Sequence, residues 1–288
     1  MSITSSTLLV ELSMSVWTAN KLDRSITNNV LADNHAAYGA AQVHKNLMAG
    51  TTLRKEIADY ASSCYTWHCR NTVPWADRGP RLLPTSMFLD YKSELNVRRD
   101  KFEALTEEFC SFYPGWLGQQ VAAQTTRSLG DMFNLADYPS VDEVRSKFGF
   151  RAAFTPVPES GDFRVDIPRH DLEEVKQRYD EEFDSRLAGA MQEPWNRLYT
   201  VLKALSSKLE NKNENEKKRY HDTLVSNATD LCALLTHLNI TKDPALERAR
   251  HEVESLMAGV TIRDIKDSAT LREGLKSKVD TILGGYEW

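Results

Sequence analysis

The sequence predicts a mainly α-helical protein: an elongated bundle of long, coiled-coil-like helices with one small β-hairpin inserted. Three observations carry that expectation. Apolar residues recur at three- and four-residue spacing through both ends of the chain, prolines concentrate in its middle, and one short segment alternates with period two. Residues 1–70 hold no proline, 71–168 hold eight of the ten, and 169–288 hold Pro194 and Pro244. Proline breaks helix interiors, so the flanks can carry long helices while the middle is interrupted. The expected organisation is an N-terminal helical part (1–70), a proline-rich part with loop, helices and hairpin (71–168) and a C-terminal helical part (169–288), joined as one composite domain.

The first part reads as a helical pair. Leu12, Val16, Leu22, Ile26 and Val30 fall near helical spacing, Tyr38, Val43 and Leu47 follow, Gly50 to Thr52 make a turn, and a second helix runs from Leu53 to Arg70. The stretch from Arg70 to Ser86 contains three prolines and a glycine and reads as a loop, long enough to serve in binding. Within it Trp75, Asp77, Arg78 and Arg81 have the composition of an interface anchor. The plainer reading is that Trp75 fills a core gap while Arg78 pairs with Asp77.

Thr85 or Ser86 can cap the next helix. Its stripe of Tyr91, Leu95, Phe102, Leu105, Phe109, Phe112 and Trp116 reads as core, bending or ending near Pro114-Gly115, with more helix out to Phe133. Ser140-Val-Asp-Glu143 is a capping box. Between Phe150 and Ile167 the pattern changes: Phe163, Val165 and Ile167 alternate with Asp162, Arg164 and Asp166, after a turn at Pro158 to Gly161. That is a β-hairpin, and two strands alone are unstable, so it must pack on helices or pair with another chain. Phe150, Phe154, Phe163 and Val165 are its candidate contact residues.

The last part is helical. Leu172, Val175, Tyr179 and Phe183 begin a stripe that Trp195, Leu198, Leu202, Leu205 and Leu209 continue, with Pro194 expected to kink or split the helix. Asn211 to Glu216 reads as a polar turn, and Leu224, Ala228, Leu231, Leu235 and Leu238 form another stripe. Asp243-Pro244 opens a helix, and a last helix covers Ala269 to Leu283 before Gly284-Gly285.

Composition narrows function by exclusion. With 41% hydrophobic and 27% charged residues the chain is neither disordered nor fibrous, and no apolar run approaches the roughly 18 residues of a membrane span. The start carries no secretory signal pattern, and four cysteines are too few to staple 288 residues, so a reducing, cytosolic setting is expected. Cys64, His68 and Cys69 lack the second ligand pair a structural zinc needs. No phosphate-cradling glycine motif, nucleophile elbow or cofactor signature is present, so a non-enzymatic protein without cofactor is expected. The net charge of -5 hides a basic first third, since residues 1–101 carry 12 Lys and Arg against 9 Asp and Glu. Two basic clusters could neutralise phosphates: Lys92, Arg98, Arg99 and Lys101, and Lys217, Lys218 and Arg219.

Three segments, Val73-Pro-Trp-Ala-Asp-Arg-Gly-Pro-Arg-Leu-Leu-Pro84, Tyr138-Pro-Ser-Val-Asp-Glu-Val144 and Pro156-Val-Pro-Glu-Ser-Gly-Asp-Phe-Arg-Val165, resemble an uncharacterised protein family of tailed bacteriophages and prophages. The resemblance spans about residues 5–210. Members are helical, of similar length, and often encoded beside a MoxR-type AAA+ ATPase and a von Willebrand factor A-like protein. The resemblance implies an accessory or adaptor of a phage-encoded assembly in the host cytoplasm, with a second copy of itself or the ATPase as partner. It brings no site residues, and without an ATP-binding motif this chain is not the motor. Two further functions stay open: nucleic-acid binding through the basic clusters, and inhibition of a host defence system by binding or sequestration.

Overall fold

A computed structural model describes residues 3–76, 79–123, 128–158, 169–210 and 223–288. In chain order the elements are α1 (Ile3–Ser6), β1 (Thr7–Ser15), β2 (Asn20–Leu22), α2 (Arg24–Asp33), β3 (His44–Asn46), α3 (Leu53–Arg70), β4 (Val73–Pro74) and β5 (Arg81–Pro84). Then come α4 (Phe88–Ala122), α5 (Val141–Arg145), β6 (Gly149–Pro156), α6 (Arg169–Leu209), α7 (Thr223–Leu238), α8 (Pro244–Met257), α9 (Ile262–Asp267) and α10 (Ala269–Gly285). The class is mainly α, with a four-stranded sheet in the order β4-β5-β1-β6 and a two-stranded sheet of β2 and β3.

The sheet corrects two expectations. The segment expected to open a helix is β1, where Val10 and Leu12 are buried while Glu11, Ser13 and Ser15 are exposed. That alternation is the strand period, and the spacing of Leu12 and Val16 also fits a helix, which made the two indistinguishable by period. The stretch expected as a loop forms β4 and β5, antiparallel in the register Val73↔Leu82 and Pro74↔Arg81. β5 in turn lies antiparallel on β1, from Thr7↔Pro84 to Val10↔Arg81. The expected hairpin has its first arm in β6, which borders β1. Its second arm, with Phe163 and Val165, lies outside the described residues, as does the polar turn at 211–216.

Two proline expectations are corrected in part, since the helix neither ends at Pro114 nor splits at Pro194. α4 runs through Pro114 and α6 through Pro194. Pro114 faces solvent, and the buried Tyr113 and Trp116 hold the helix on either side. Around Pro194 the buried Ala190 and Leu198 do the same. α4 ends at Ala122, and Gly130–Met132 near the expected helical end is a 3-10 turn. α3 occupies the expected Leu53 to Arg70.

The chain divides into two compact units that interleave along the sequence, and each draws on more than one proline-defined part. One comprises Met1–Glu11, His68–Tyr91 and Ala153–Trp288, the other Leu12–Trp67 and Lys92–Ala152.

The core of the second unit is aromatic. Trp17 meets Phe109 and Tyr113 edge-on, at 6.2 and 5.7 Å between ring centroids. Ile57, Phe102, Trp116 and Val144 close the core around them. Ser140 caps α5 as expected, accepting the Glu143 N–H at 3.3 Å. Lys45, 8% exposed, is held by Asp137 at 2.6 Å, by Asp23 at 3.3 Å and by the Met132 carbonyl at 3.2 Å. A buried ammonium needs this many partners, because removing one would leave a charge without compensation.

The first unit holds two apolar clusters. Leu198, Leu202, Leu205 and Leu209 of α6 pack with the buried faces of α7, α8 and α10 in one. Asp243 caps α8 by accepting the Ala245 N–H, with Pro244 at the first helical position, as expected. Thr261 and Asp264 form a reciprocal capping box on the short α9. The other cluster gathers Leu9, Val73, Trp75, Leu82 and Val157 with Ala190 and Leu238.

Two guanidiniums close the C-terminus of α3. The Arg197 Nη1 donates to the Arg70 carbonyl at 2.6 Å, and its Nη2 donates to Cys69 and Thr72, each at 2.8 Å. Arg81 donates to the Thr72 hydroxyl at 2.7 Å and to the Cys69 and Thr72 carbonyls at 3.3 and 3.1 Å. A helix end leaves its last carbonyls without intrahelical partners, and here side chains from α6 and β5 supply them. Arg197→Ala is expected to destabilise the protein by about 2–4 kcal/mol, and Arg197→Lys to recover less than half, because an ammonium lacks the planar fork. Urea unfolding checks this, and a loss within about 0.5 kcal/mol would show the carbonyls solvated equally well without Arg197.

Candidate functional site

The stretch after α3 was the sequence's strongest interaction signal. β4 ends at Pro74, and Trp75 follows it with only 7% of its surface exposed. Its indole meets the Phe183 ring of α6 edge-on at 5.1 Å. Trp75 is therefore a core residue, and only its edge and its neighbours reach the surface. Asp77 and Arg78 lie outside the described residues, and Arg81 is committed to the end of α3.

Beside Trp75 the surface is hollow. A groove of about 390 Å³ is lined by Pro74, Trp75 and Ala76 on one side and by Glu182, Ser185, Arg186, Gly189 and Ala190 of α6 on the other. The helix wall is low because Ser185, Gly189 and Ala190 are small and share one face at i, i+4 and i+5. A Cβ built on Gly189 would meet no atom within 4 Å. Glu182 and Arg186, one turn apart, pair at 2.8 Å, so the rim is charged yet close to neutral. This face is not among the candidates that the sequence pattern marks. Its signal was Ala188-Gly189-Ala190, a run of small residues inside a helix whose other turns carry large side chains.

The remaining candidates are placed as follows. Phe150 packs on Phe102 at 5.8 Å, and Phe154 meets Phe88 edge-on at 5.4 Å and Tyr91 at 6.2 Å. Both rings are half-buried and serve the packing of their own units. Arg98 pairs with Glu94 at 2.7 Å and lies over the Trp67 ring at 4.7 Å. Arg99 faces Asp100 and Glu103 at 3.4 and 3.9 Å, and Lys101 lies over Tyr60 at 4.8 Å. Lys92 is exposed on the same helix. These cations are met by local acids and rings. Lys217, Lys218 and Arg219 lie outside the described residues.

His68 and Cys64, weighed for zinc, are both buried. The His68 Nδ1 lies 2.7 Å from the Tyr91 hydroxyl, and among the described residues no group of three or more metal-binding side chains converges. Burial, helped by the Arg81 charge, pushes the His68 pKa down to about 4, and burial raises that of Tyr91. The pair is a neutral hydrogen bond in the core.

No protein-family model, curated protein or solved structure matches the chain. Among the described residues no helix is long and apolar enough to cross a membrane.

Two outcomes follow. Trp75→Ala is expected to cost about 3–5 kcal/mol as a core truncation, whereas Gly189→Ala is expected to add about 0.5–1 kcal/mol through helix propensity with no new clash. Thermal and urea unfolding read both, and destabilisation by Gly189→Ala would show that the groove floor is tighter than its geometry. The second outcome concerns pH. The folded pKa of His68, about 4, lies below the ordinary 6.5, so the unfolded chain binds the proton first. Stability is then lost as pH falls from about 6.5 towards 4, by about 2–3 kcal/mol at pH 4.5. The loss should vanish in His68→Gln when wild type and variant are compared at pH 7 and 4.5. A parallel loss in the variant would assign it to other groups.

Proposed function

We propose that this chain is a non-enzymatic, phage-encoded interaction protein that assembles with itself or serves as adaptor to an AAA+ ATPase in the host cytoplasm. The groove beside Trp75 is the observation that carries this reading. It sits on the segment with the composition of an interface anchor, and its tryptophan edge, proline and small helix residues suit a protein side chain better than a polar metabolite. The stripes of α6, α7, α8 and α10 give it a stiff helical support, in keeping with coiled-coil-like packing. The phage setting rests on the resemblance of the Val73 to Pro84, Tyr138 to Val144 and Pro156 to Val165 segments. Nucleic-acid binding is the weaker reading, because Arg98, Arg99 and Lys101 already have partners within their own unit. No particular residue favours inhibition of a host defence system.

The test fills the groove without touching the core. Gly189→Leu places a larger side chain into open space on a helix and should leave circular dichroism and Tm unchanged or slightly raised. Light scattering should show that it abolishes association, whether of the chain with itself or with a MoxR-type ATPase. Full association by a well-folded Gly189→Leu chain would overturn the assignment of the groove.

A further inference from the structure

The residues from Gly284 to Trp288 close over the helices of the first unit. α10 stops at Gly285, and Tyr286 takes up extended backbone at φ -130° and ψ 154°. Alternate side chains of an extended segment share a face, and here Tyr286 and Trp288 are half-buried while Glu287 between them is exposed. Both rings turn onto α6. Tyr286 lies 5.6 Å and Trp288 5.5 Å from Trp195 between ring centroids, and Trp288 lies 5.4 Å from Tyr199. The two rings of the segment also meet each other edge-on at 6.0 Å.

Three polar bonds fasten this group of rings. The Trp288 Nε1 donates to the Leu283 carbonyl at 2.8 Å, in the last turn of α10, where carbonyls lack intrahelical donors. The Tyr286 hydroxyl donates to the Glu252 carboxylate of α8 at 3.0 Å. The Trp195 Nε1 donates at 3.1 Å to Asp243, which caps α8, so the ring on which the segment lies is itself fixed. The joint is looser. A Cβ on Gly284 or Gly285 would meet nothing within 4 Å, and two glycines regain the most backbone freedom when the rings let go.

We propose that Gly284–Trp288 is a clasp that opens and closes as one unit about Gly284-Gly285, its opening baring the Trp195 and Tyr199 faces of α6. The inference is independent of the groove beside Trp75. Tyr286 and Trp288 touch each other as well as Trp195, so loss of either ring takes contacts from the other. The rings pack on the edge of the apolar cluster whose buried members all belong to α6 to α10, so opening leaves that core packed. Segments with few buried contacts open locally, at a free energy well below that of global unfolding. The clasp also steadies a second surface. Glu252, which Tyr286 holds, lines a groove of about 500 Å³ between α8 and α10, with Leu256, Lys278 and Ile282.

Hydrogen exchange read by mass spectrometry on the full-length chain tests the clasp. Tyr286→Phe keeps the ring and loses the bond to Glu252, Trp288→Ala loses the second ring and the bond to Leu283, and a third chain carries both changes. Each single change should speed exchange in residues 280–288 about tenfold, with α6 and α7 protected as in the unmodified chain. Since either loss opens the same clasp, the double change should add little beyond either one. Hydroxyl-radical labelling of Trp195 should rise in Tyr286→Phe, where every ring remains. Unchanged exchange in 280–288, unchanged labelling of Trp195 in Tyr286→Phe, or a fully additive double change would each overturn the proposal. So would a loss of protection spread equally over α6, α7, α8 and α10, because the two rings would then belong to the core.

Discussion

The end of α3 is where the first unit is tied together. Arg197 reaches three consecutive-turn carbonyls from α6, and Arg81 reaches two of the same residues from β5. The Thr72 hydroxyl accepts from Arg81 while donating to the His68 carbonyl at 2.6 Å, so helix end, strand and long helix share one hydrogen-bond network. Helix ends inside a protein cannot leave carbonyls without donors, and a guanidinium can serve several at once in a plane. Glu193, one turn before Arg197, fixes its Nε at 3.0 Å. The clamp joins the pairing of β4 with β5 and the packing of Trp75 on Phe183 in placing the chain that leaves α3.

The structure departs from the sequence patterns where two periods overlap. β1 could be read as helix because Leu12 and Val16 are four apart, although Val10, Leu12 and Met14 alternate with Glu11, Ser13 and Ser15. The β4–β5 hairpin was hidden by its prolines: Pro74 lies on an edge strand, where a missing donor costs no ladder bond, and Pro84 ends β5. Helices were easier to read because their signals are redundant. α8 shows stripe, cap and first-turn proline together, so Asp243-Pro244 marked its start without ambiguity, whereas α10 runs on through the Gly284-Gly285 expected to end it. Pro114 and Pro194 neither end nor split their helices, since packing on both flanks outweighs the one hydrogen bond each forfeits.

The candidate site was legible by half. Trp75 was marked by its neighbours, but the opposite wall was not, because a groove is made by what a helix lacks. Ser185, Gly189 and Ala190 contribute by being small, and no motif records that. Arg81 was read as an interface residue for its charge, yet a guanidinium close to a helix end has a structural use that only the fold reveals. Tyr38 was read as continuing the first helical stripe with Val43 and Leu47, whereas it stands exposed between α2 and β3.

The proposed contact with protein rests on a helical support and a low-walled groove beside Trp75. Sedimentation velocity of the unmodified chain over a wide concentration range, recorded at 260 and 280 nm, tests this most directly. Expected are species heavier than the 32.7 kDa single chain that grow with concentration and absorb as pure protein. A single 32.7 kDa boundary at every concentration, both alone and mixed with a MoxR-type ATPase, or heavy species that absorb as nucleic acid, would contradict it.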